Sequence, residues 1–275
     1  MKLSFRMKIR RFSCQKSQNT KLFSRPFLRL LSLVIFSPVV SFAHAGSLEQ
    51  AKQFLASSSK FTDIVKLGFG TSYLTSDLEA KIKLYHDAGM KVYLGGTLFE
   101  AFVVRDMYAE YIELMERLNI KTVEVSDGSI ELDHKKKCKY ISDLSSRGYT
   151  VFSEVGSKTA DVIIPPYKWI EMMQAELNAG SWKVVAEARE GGNVGIYQNS
   201  GSVRSDLIDE IRRKINVDDI LWESPKKSQQ VWFIKLLGAN VNLGNISYEE
   251  VIPLECLRLG LRGDTFFDYL PENLK

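Results

Sequence analysis

Four short apolar runs in this sequence carry a glutamate at or near their end: Glu124 in Thr122–Val125, Glu154 after Thr150–Ser153, Glu187 closing Lys183–Glu187, and Glu223 closing Ile220–Glu223. Bases are interleaved with them: Lys66 in Asp63–Leu67, Lys158 in Ser153–Lys158, and Arg189 just past Glu187. An ionised carboxylate in a buried strand is unfavourable unless a cation compensates it. Four converging carboxylates would repel one another unless a hard cation or bases neutralised them. Oxygen donors without histidine or cysteine suit Mg²⁺. We take Glu124, Glu154 and Glu187 as the expected ligands, with Lys66, Lys158 and Arg189 as counter-charges that also hold an anionic substrate. One strand-end glutamate alone is more often a salt-bridge partner. The run of four carries the inference, and the residues themselves do not rank its members.

These groups meet only if the strands are parallel and end at one mouth. From Phe61 onward, short apolar runs alternate with amphipathic segments. The candidate strands are Asp63–Leu67, Lys91–Leu94, Thr122–Val125, Thr150–Ser153, Lys183–Glu187, Ile220–Glu223 and Val241–Leu243. Helical patterns fill the intervals, and glycines such as Gly89 and Gly148 stop them. A helix over Leu48–Ala56 is expected ahead of the first. Ser76-Asp77 is an expected N-cap for the helix starting at Leu78. Alternating βα units with apolar strands imply a covered parallel sheet. Seven strands plus one from Leu33–Phe42 give an α/β fold, a TIM (β/α)8 barrel, in which the first strand is the open point. A doubly wound sheet is disfavoured because no glycine-rich phosphate loop follows the early strands.

The loops at the mouth supply candidate substrate contacts: Gly96 and Thr97 after the Lys91–Leu94 strand, Ser126 and Asp127 after Thr122–Val125, and Asn242, Gly244 and Asn245 after the last strand. In such barrels the final loops and a nearby helix N-terminus often bind phosphate through backbone N–H groups. Gly260–Thr265 fits either an anion loop or a glycine cap with a surface ion pair. Lys135-Lys136-Lys137 is expected to be a solvated helix start, and Trp232 and Phe233 core residues.

Charge excludes one class of function. Residues 1–29 hold nine of the 37 bases and no acid, leaving 28 bases against 33 acids, a net of −5, in the rest. A body of that sign is not expected to bind nucleic acid. Cys14, Cys138 and Cys256 are far apart and pair with no ligand-spaced histidine, so neither a zinc site nor a disulfide framework is expected. Residues 1–45 form a basic, then apolar extension ending in Ala43-His44-Ala45, and 46–275 the catalytic barrel. The apolar part reads equally as a targeting segment or as the first strand. It is too short and broken for a stable membrane span. A cytoplasmic protein is expected, or an organellar or exported one if residues 1–45 are an address; a homo-oligomer is left open.

The ordered segments KLGFGTS (Lys66–Ser72), GGTLFE (Gly95–Glu100), EVSDGSIEL (Glu124–Leu132), SEVGSK (Ser153–Lys158), EAREGGNVGIY (Glu187–Tyr197), WESPKKSQQVWFI (Trp222–Ile234), NVNLGNI (Asn240–Ile246) and LRLGLRGDT (Leu257–Thr265) closely resemble phosphosulfolactate synthase. The resemblance runs from about Leu48 to Phe267. It implies a TIM barrel and a Mg²⁺-dependent lyase adding sulfite to phosphoenolpyruvate, the first step of a route to coenzyme M and sulfolactate. It also implies that Lys158 acts as the general acid, that Arg189 and Lys66 hold sulfite or phosphate, and that the Asn242–Asn245 loop cradles phosphate. Two departures stand out. The family's opening KPR-type segment and acidic first strand have no counterpart here, and Glu190-Gly191-Gly192 replaces the usual Glu-Ser-Gly. A catalytically silent relative with a binding or stress-related role is the alternative.

Overall fold

A computed structural model describes the backbone of Val39–Ala43 and residues 46–156, 164–189, 191–268 and 270. The apolar residues ahead of Val39, and with them most of the targeting reading, lie outside the described residues, as does Lys158.

Eight strands are present among the described residues: β1 (Val39–Ala43), β2 (Ile64–Leu67), β3 (Lys91–Leu94), β4 (Thr122–Val125), β5 (Thr150–Val155), β6 (Lys183–Ala186), β7 (Ile220–Glu223) and β8 (Leu243–Ser247). The helices among the described residues are α1 (Leu48–Ser58), α2 (Leu78–Asp87), α3 (Gly96–Val103), α4 (Tyr108–Arg117), α5 (His134–Ser146), α6 (Pro166–Asn178), α7 (Ser205–Lys214), α8 (Lys227–Leu237) and α9 (Val251–Arg258). All strand pairs are parallel, in the order β3-β2-β1-β8-β7-β6-β5-β4, and β3 lies beside β4, so the sheet curls into a barrel with its seam between those two. The chain thus has the TIM-barrel fold. No helix among the described residues is long and apolar enough to cross a membrane.

The open point is resolved at the C-terminal edge of the Leu33–Phe42 run. There β1 pairs with β2 on one side and β8 on the other. Helix α1 starts with a reciprocal cap: Ser47 Oγ accepts from Gln50 N–H, and Gln50 Oε1 accepts from Ser47 N–H. Asp77 is the N-cap of α2, within the expected pair, but its side chain does not make the expected capping hydrogen bond.

Strand alternation divides the core. Every second residue points inward, about 6.6 Å further along the strand. Ile64, Tyr93, Phe152, Val185 and Leu221 form a small apolar cluster inside the barrel, apart from the larger core between sheet and helices. Two residues on, facing the same way, stand Lys66, Glu154, Glu187 and Glu223. The interior is therefore layered, apolar below and charged above.

Candidate functional site

The charged layer lines a cavity of about 290 Å³ at the C-terminal mouth, walled by Lys66, Glu124, Glu154, Glu187, Arg189 and Glu223, with Phe69, Gly95, Gly96, Thr97, Ser129 and Asn245 completing it. The four glutamates and Lys66 are buried. Lys66 Nζ stands 3.1 Å from Glu124 Oε2, 3.2 Å from Glu223 Oε1 and 3.9 Å from Glu154 Oε2. Burial works to lower the Lys66 pKa, but Glu124 and Glu223 overcome it and hold the ammonium well above its ordinary value. Glu223 is pushed up to about 7, by burial first and then by repulsion from Glu154 and Glu124, against the pull of Lys66. Tyr93 lies beneath, its ring 6.0 Å from Lys66 Nζ; burial and then Glu124 raise its hydroxyl well above the ordinary range.

Among the described residues lining the cavity, four carboxylates stand with two cations, Lys66 and Arg189. Glu154, Glu187 and Glu223 bring one carboxylate oxygen each to within 4.8 Å of the others. Three buried carboxylate oxygens gathered around one point fit a hard divalent cation such as Mg²⁺. The gathered set differs from the expected one in a single member. Glu124 is drawn aside, its Oε1 accepting from Gly96 N–H at 2.6 Å and its Oε2 facing Lys66, so that Glu223 completes the cluster.

The backbone after β6 closes over these groups. Ala188 N–H donates to Glu223 Oε2 at 3.0 Å, and Arg189 N–H donates to Glu187 Oε1 at 2.6 Å. This turn is braced from α8, where buried Gln229 donates to the carbonyls of Gly192 and Gly201. Tyr197 Oη donates to the Glu223 carbonyl at 2.7 Å. Phe69, Arg189 and Asn245 all have positive φ (33°, 55° and 58°) and all line the cavity. Such backbone strain gathers where ligands are clamped. Asn245 Oδ1 is also buried without a hydrogen-bond partner among the described residues. An orphaned amide in a polar cavity marks a place for a ligand or ordered water.

Of the candidates read from the sequence, Lys66, Gly96, Thr97, Glu124, Glu154, Glu187, Arg189 and Asn245 meet at this cavity. Gly96 and Thr97 do so from the start of α3, where a loop was expected. The other described candidates are placed otherwise. Ser126 gives its hydroxyl to Glu100, whose other oxygen accepts from Ser129 N–H at 2.9 Å, so Ser126 braces the loop after β4. Asp127 pairs with Lys137 at 2.9 Å. The expected strand Val241–Leu243 is corrected to Leu243–Ser247, and Gly244 and Asn245 lie in that strand instead of a following loop. Gly244 packs against Leu221, where a Cβ would sit 3.1 Å from its side chain. Asn242 precedes β8 at the opposite end of the barrel and spends its amide on the carbonyls of Asp218 and Ile220. Gly260–Thr265 takes the plainer of its two readings: Gly260 has positive φ after α9, and Asp264 pairs with Lys227 at the surface.

Lys137 is a further correction. It is buried, not solvated, and donates to Asp127 Oδ1 (2.9 Å) and the Glu154 carbonyl (2.6 Å), with Glu176 Oε1 also 2.9 Å away. Burial acts to lower its pKa, and Glu176 and Asp127 raise it instead. Sequence reading also passed over Tyr93, Phe69 and Ser129. Tyr93 had a usable signal, since it occupies the inward register position shared by Lys66.

The chain matches the family profile described as (2R)-phospho-3-sulfolactate synthase (ComA) over residues 42–264. It is 40% identical to the phosphosulfolactate synthase of Bacillus subtilis over 80% of this chain and 88% of that one. Identity to the phosphosulfolactate synthase of Methanothermobacter thermautotrophicus is 39%, over 78% and 85% of the two chains. Protein HEAT-STRESS-ASSOCIATED 32 of Arabidopsis thaliana is 21% identical over 75% and 79%. Among solved structures, the YdjI aldolase of Escherichia coli K12 superposes with a TM-score of 0.54 at 10% identity, over 81% of this chain and 80% of that one. A native KDPGal structure does so at 0.53 and 11%, over 85% and 96%. At such identities these two speak to the barrel alone. The match across most of the chain, together with the relatives near 40% identity, establishes that this chain belongs to the (2R)-phospho-3-sulfolactate synthase family, whose members are enzymes acting on small molecules.

Proposed function

We propose that this chain catalyses Mg²⁺-dependent addition of sulfite to phosphoenolpyruvate, giving phosphosulfolactate. The observation that carries the reading is the buried trio Glu154, Glu187 and Glu223 at the mouth, one carboxylate oxygen of each within 4.8 Å of the others. In this reading the sulfur lone pair attacks C3 of the enol phosphate, the C2–C3 π electrons move toward the substrate carboxylate, and C2 then takes a proton. A bound cation supplies Lewis-acid stabilisation of the charge that builds on that carboxylate.

The chain's own groups do the rest. Glu154, Glu187 and Glu223 would hold the ion. Lys66 is already engaged by three of the glutamates, so it fixes and neutralises them more than it seizes a substrate. Arg189, exposed at the rim, is the cation open to an incoming phosphate or sulfite. Asn245 offers its unpartnered Oδ1, an acceptor, to an ordered water or a protonated group of the ligand. Lys158, from the SEVGSK segment, is the proposed donor of the proton to C2. Identity near 40% to two synthases, against 21% to the plant heat-stress protein, supports an active enzyme over a silent relative.

The test is an assay of the purified chain with phosphoenolpyruvate, sulfite and Mg²⁺. Phosphosulfolactate is expected to form, and EDTA to abolish its formation. A folded protein that makes none would overturn the reading.

A further inference from the structure

Behind the carboxylate trio lies a charged cluster that the mechanism above does not use. Strand β5 runs two residues past β4: Val125 is the last residue of β4 and pairs with Ser153. Glu154 therefore sits beyond the ladder on that side, and its carbonyl needs a donor from elsewhere. Lys137 Nζ supplies one at 2.6 Å. The two remaining protons of the ammonium go to Asp127 Oδ1 in the loop after β4 and to Glu176 Oε1 on α6, each at 2.9 Å. Lys137 is buried, as is Glu176, and His134 on α5 reaches Glu176 from its other side at 3.1 Å.

We propose that Lys137 is a positioning residue for the metal-binding trio, acting through the backbone of Glu154. Three elements that share no ladder at this point, the β4 loop, the end of β5 and helix α6, are tied to one nitrogen. The peptide carrying the Glu154 carboxylate is thereby held on its β4 side, while on its other side the next residue, Val155, accepts from Glu187 N–H at 3.1 Å. Partners that orient a metal ligand in this way commonly change metal affinity or activity by about 10–100-fold when removed. The inference rests on the metal reading given above.

Lys137→Met alone would strand a buried Glu176 carboxylate and unfold part of the protein, so the variant of choice is Lys137→Met combined with Glu176→Gln, which removes both charges. Mg²⁺ binding is measured by calorimetry without substrates, alongside circular dichroism and turnover. The expected result is a native-like spectrum, a Mg²⁺ Kd raised about tenfold or more, and a fall in kcat that added Mg²⁺ partly restores. Lys137→Arg, which keeps the charge against Glu176, is expected to keep the fold and show a smaller loss of affinity. A folded double variant with wild-type Mg²⁺ affinity and kcat would overturn this inference alone. Absence of Mg²⁺ binding by the wild type would overturn the metal reading and this inference with it. If the double variant does not fold, wild-type Mg²⁺ affinity in Lys137→Arg would overturn the inference.

Discussion

Gly96 N–H donates to Glu124 Oε1 at 2.6 Å, across the one place where neighbouring strands are not joined in the ladder order. A site carboxylate thus doubles as a clasp over the β3–β4 seam. A Cβ at Gly96 would stand 2.7 Å from that same oxygen and crowd Ser126 as well. Gly96→Ala is expected to destabilise the fold by about 1–3 kcal/mol, the usual penalty for overpacking. Turnover should fall with it, because Glu124 cannot yield without moving Lys66. Thermal unfolding together with turnover per folded molecule checks both effects.

Glu187→Gln keeps the size of the side chain and removes one charge from the trio. Its loss of turnover should exceed the roughly 10–100-fold typical of residues that only orient a ligand. Mg²⁺ titration of activity should show a weakened half-saturation point. Equal Mg²⁺ dependence in variant and wild type would remove Glu187 from the ligand set.

Lys66 is the cation common to Glu124, Glu154 and Glu223. Lys66→Met leaves buried carboxylates facing one another, and breaking a buried ion pair from one side costs about 3–5 kcal/mol. Chemical denaturation should show a loss of that order. Added Mg²⁺ should recover part of it, since a ligand that binds the native state stabilises it.

Asn245 separates stability from activity. Its positive φ of 58° is easier for glycine, so Asn245→Gly should leave the melting temperature equal or slightly higher. Loss of the orphaned amide should raise KM for phosphoenolpyruvate about tenfold, near the 1.4 kcal/mol of one modest hydrogen bond. An unchanged KM would show that the amide faces no substrate group.

Acid stability should report on Glu176. Burial works to raise its pKa, but Lys137, His134 and Ser153 hold it below the ordinary 4.5. Asp127 and Cys138 are the other ionisable groups facing this cluster. A carboxylate depressed in the folded state adds stability above its unfolded pKa and loses it as pH falls through the folded one. The stabilising contribution is therefore expected in full above about pH 5 and to decline below 4.5. In Glu176→Gln the acid limb of the stability curve should be shallower by one proton.

The fold was largely legible because its periodicities are clean. Strands β3, β4 and β7 fall where short apolar runs predict them, and an inward residue at every second position explains why Lys66 and the glutamates share one mouth. The failures have physical causes. β8 was misplaced because Gly244 and Asn245, which serve the interior and the cavity, interrupt its apolar pattern. Lys137 looked like one of three solvated lysines, yet it stands at helical spacing from buried Ile141 and Leu144, on the same face of α5. Glu124 and Glu223 have equivalent settings in the sequence. Only the position of the seam, which no local pattern encodes, decides that Glu124 clasps Gly96 and leaves Glu223 with the trio.

The pairing of β1 with β8 bears on how the chain is made. Val39 lies opposite Leu243, about 200 residues later. Until the last quarter of the chain has left the ribosome, β1 has one edge unpaired and the barrel has no way to close. Such distant pairings slow folding and leave strand edges open to other chains meanwhile. Synthesis of this protein should therefore lean on whatever shields that first strand, and truncation before β8 should yield insoluble product instead of a smaller folded unit.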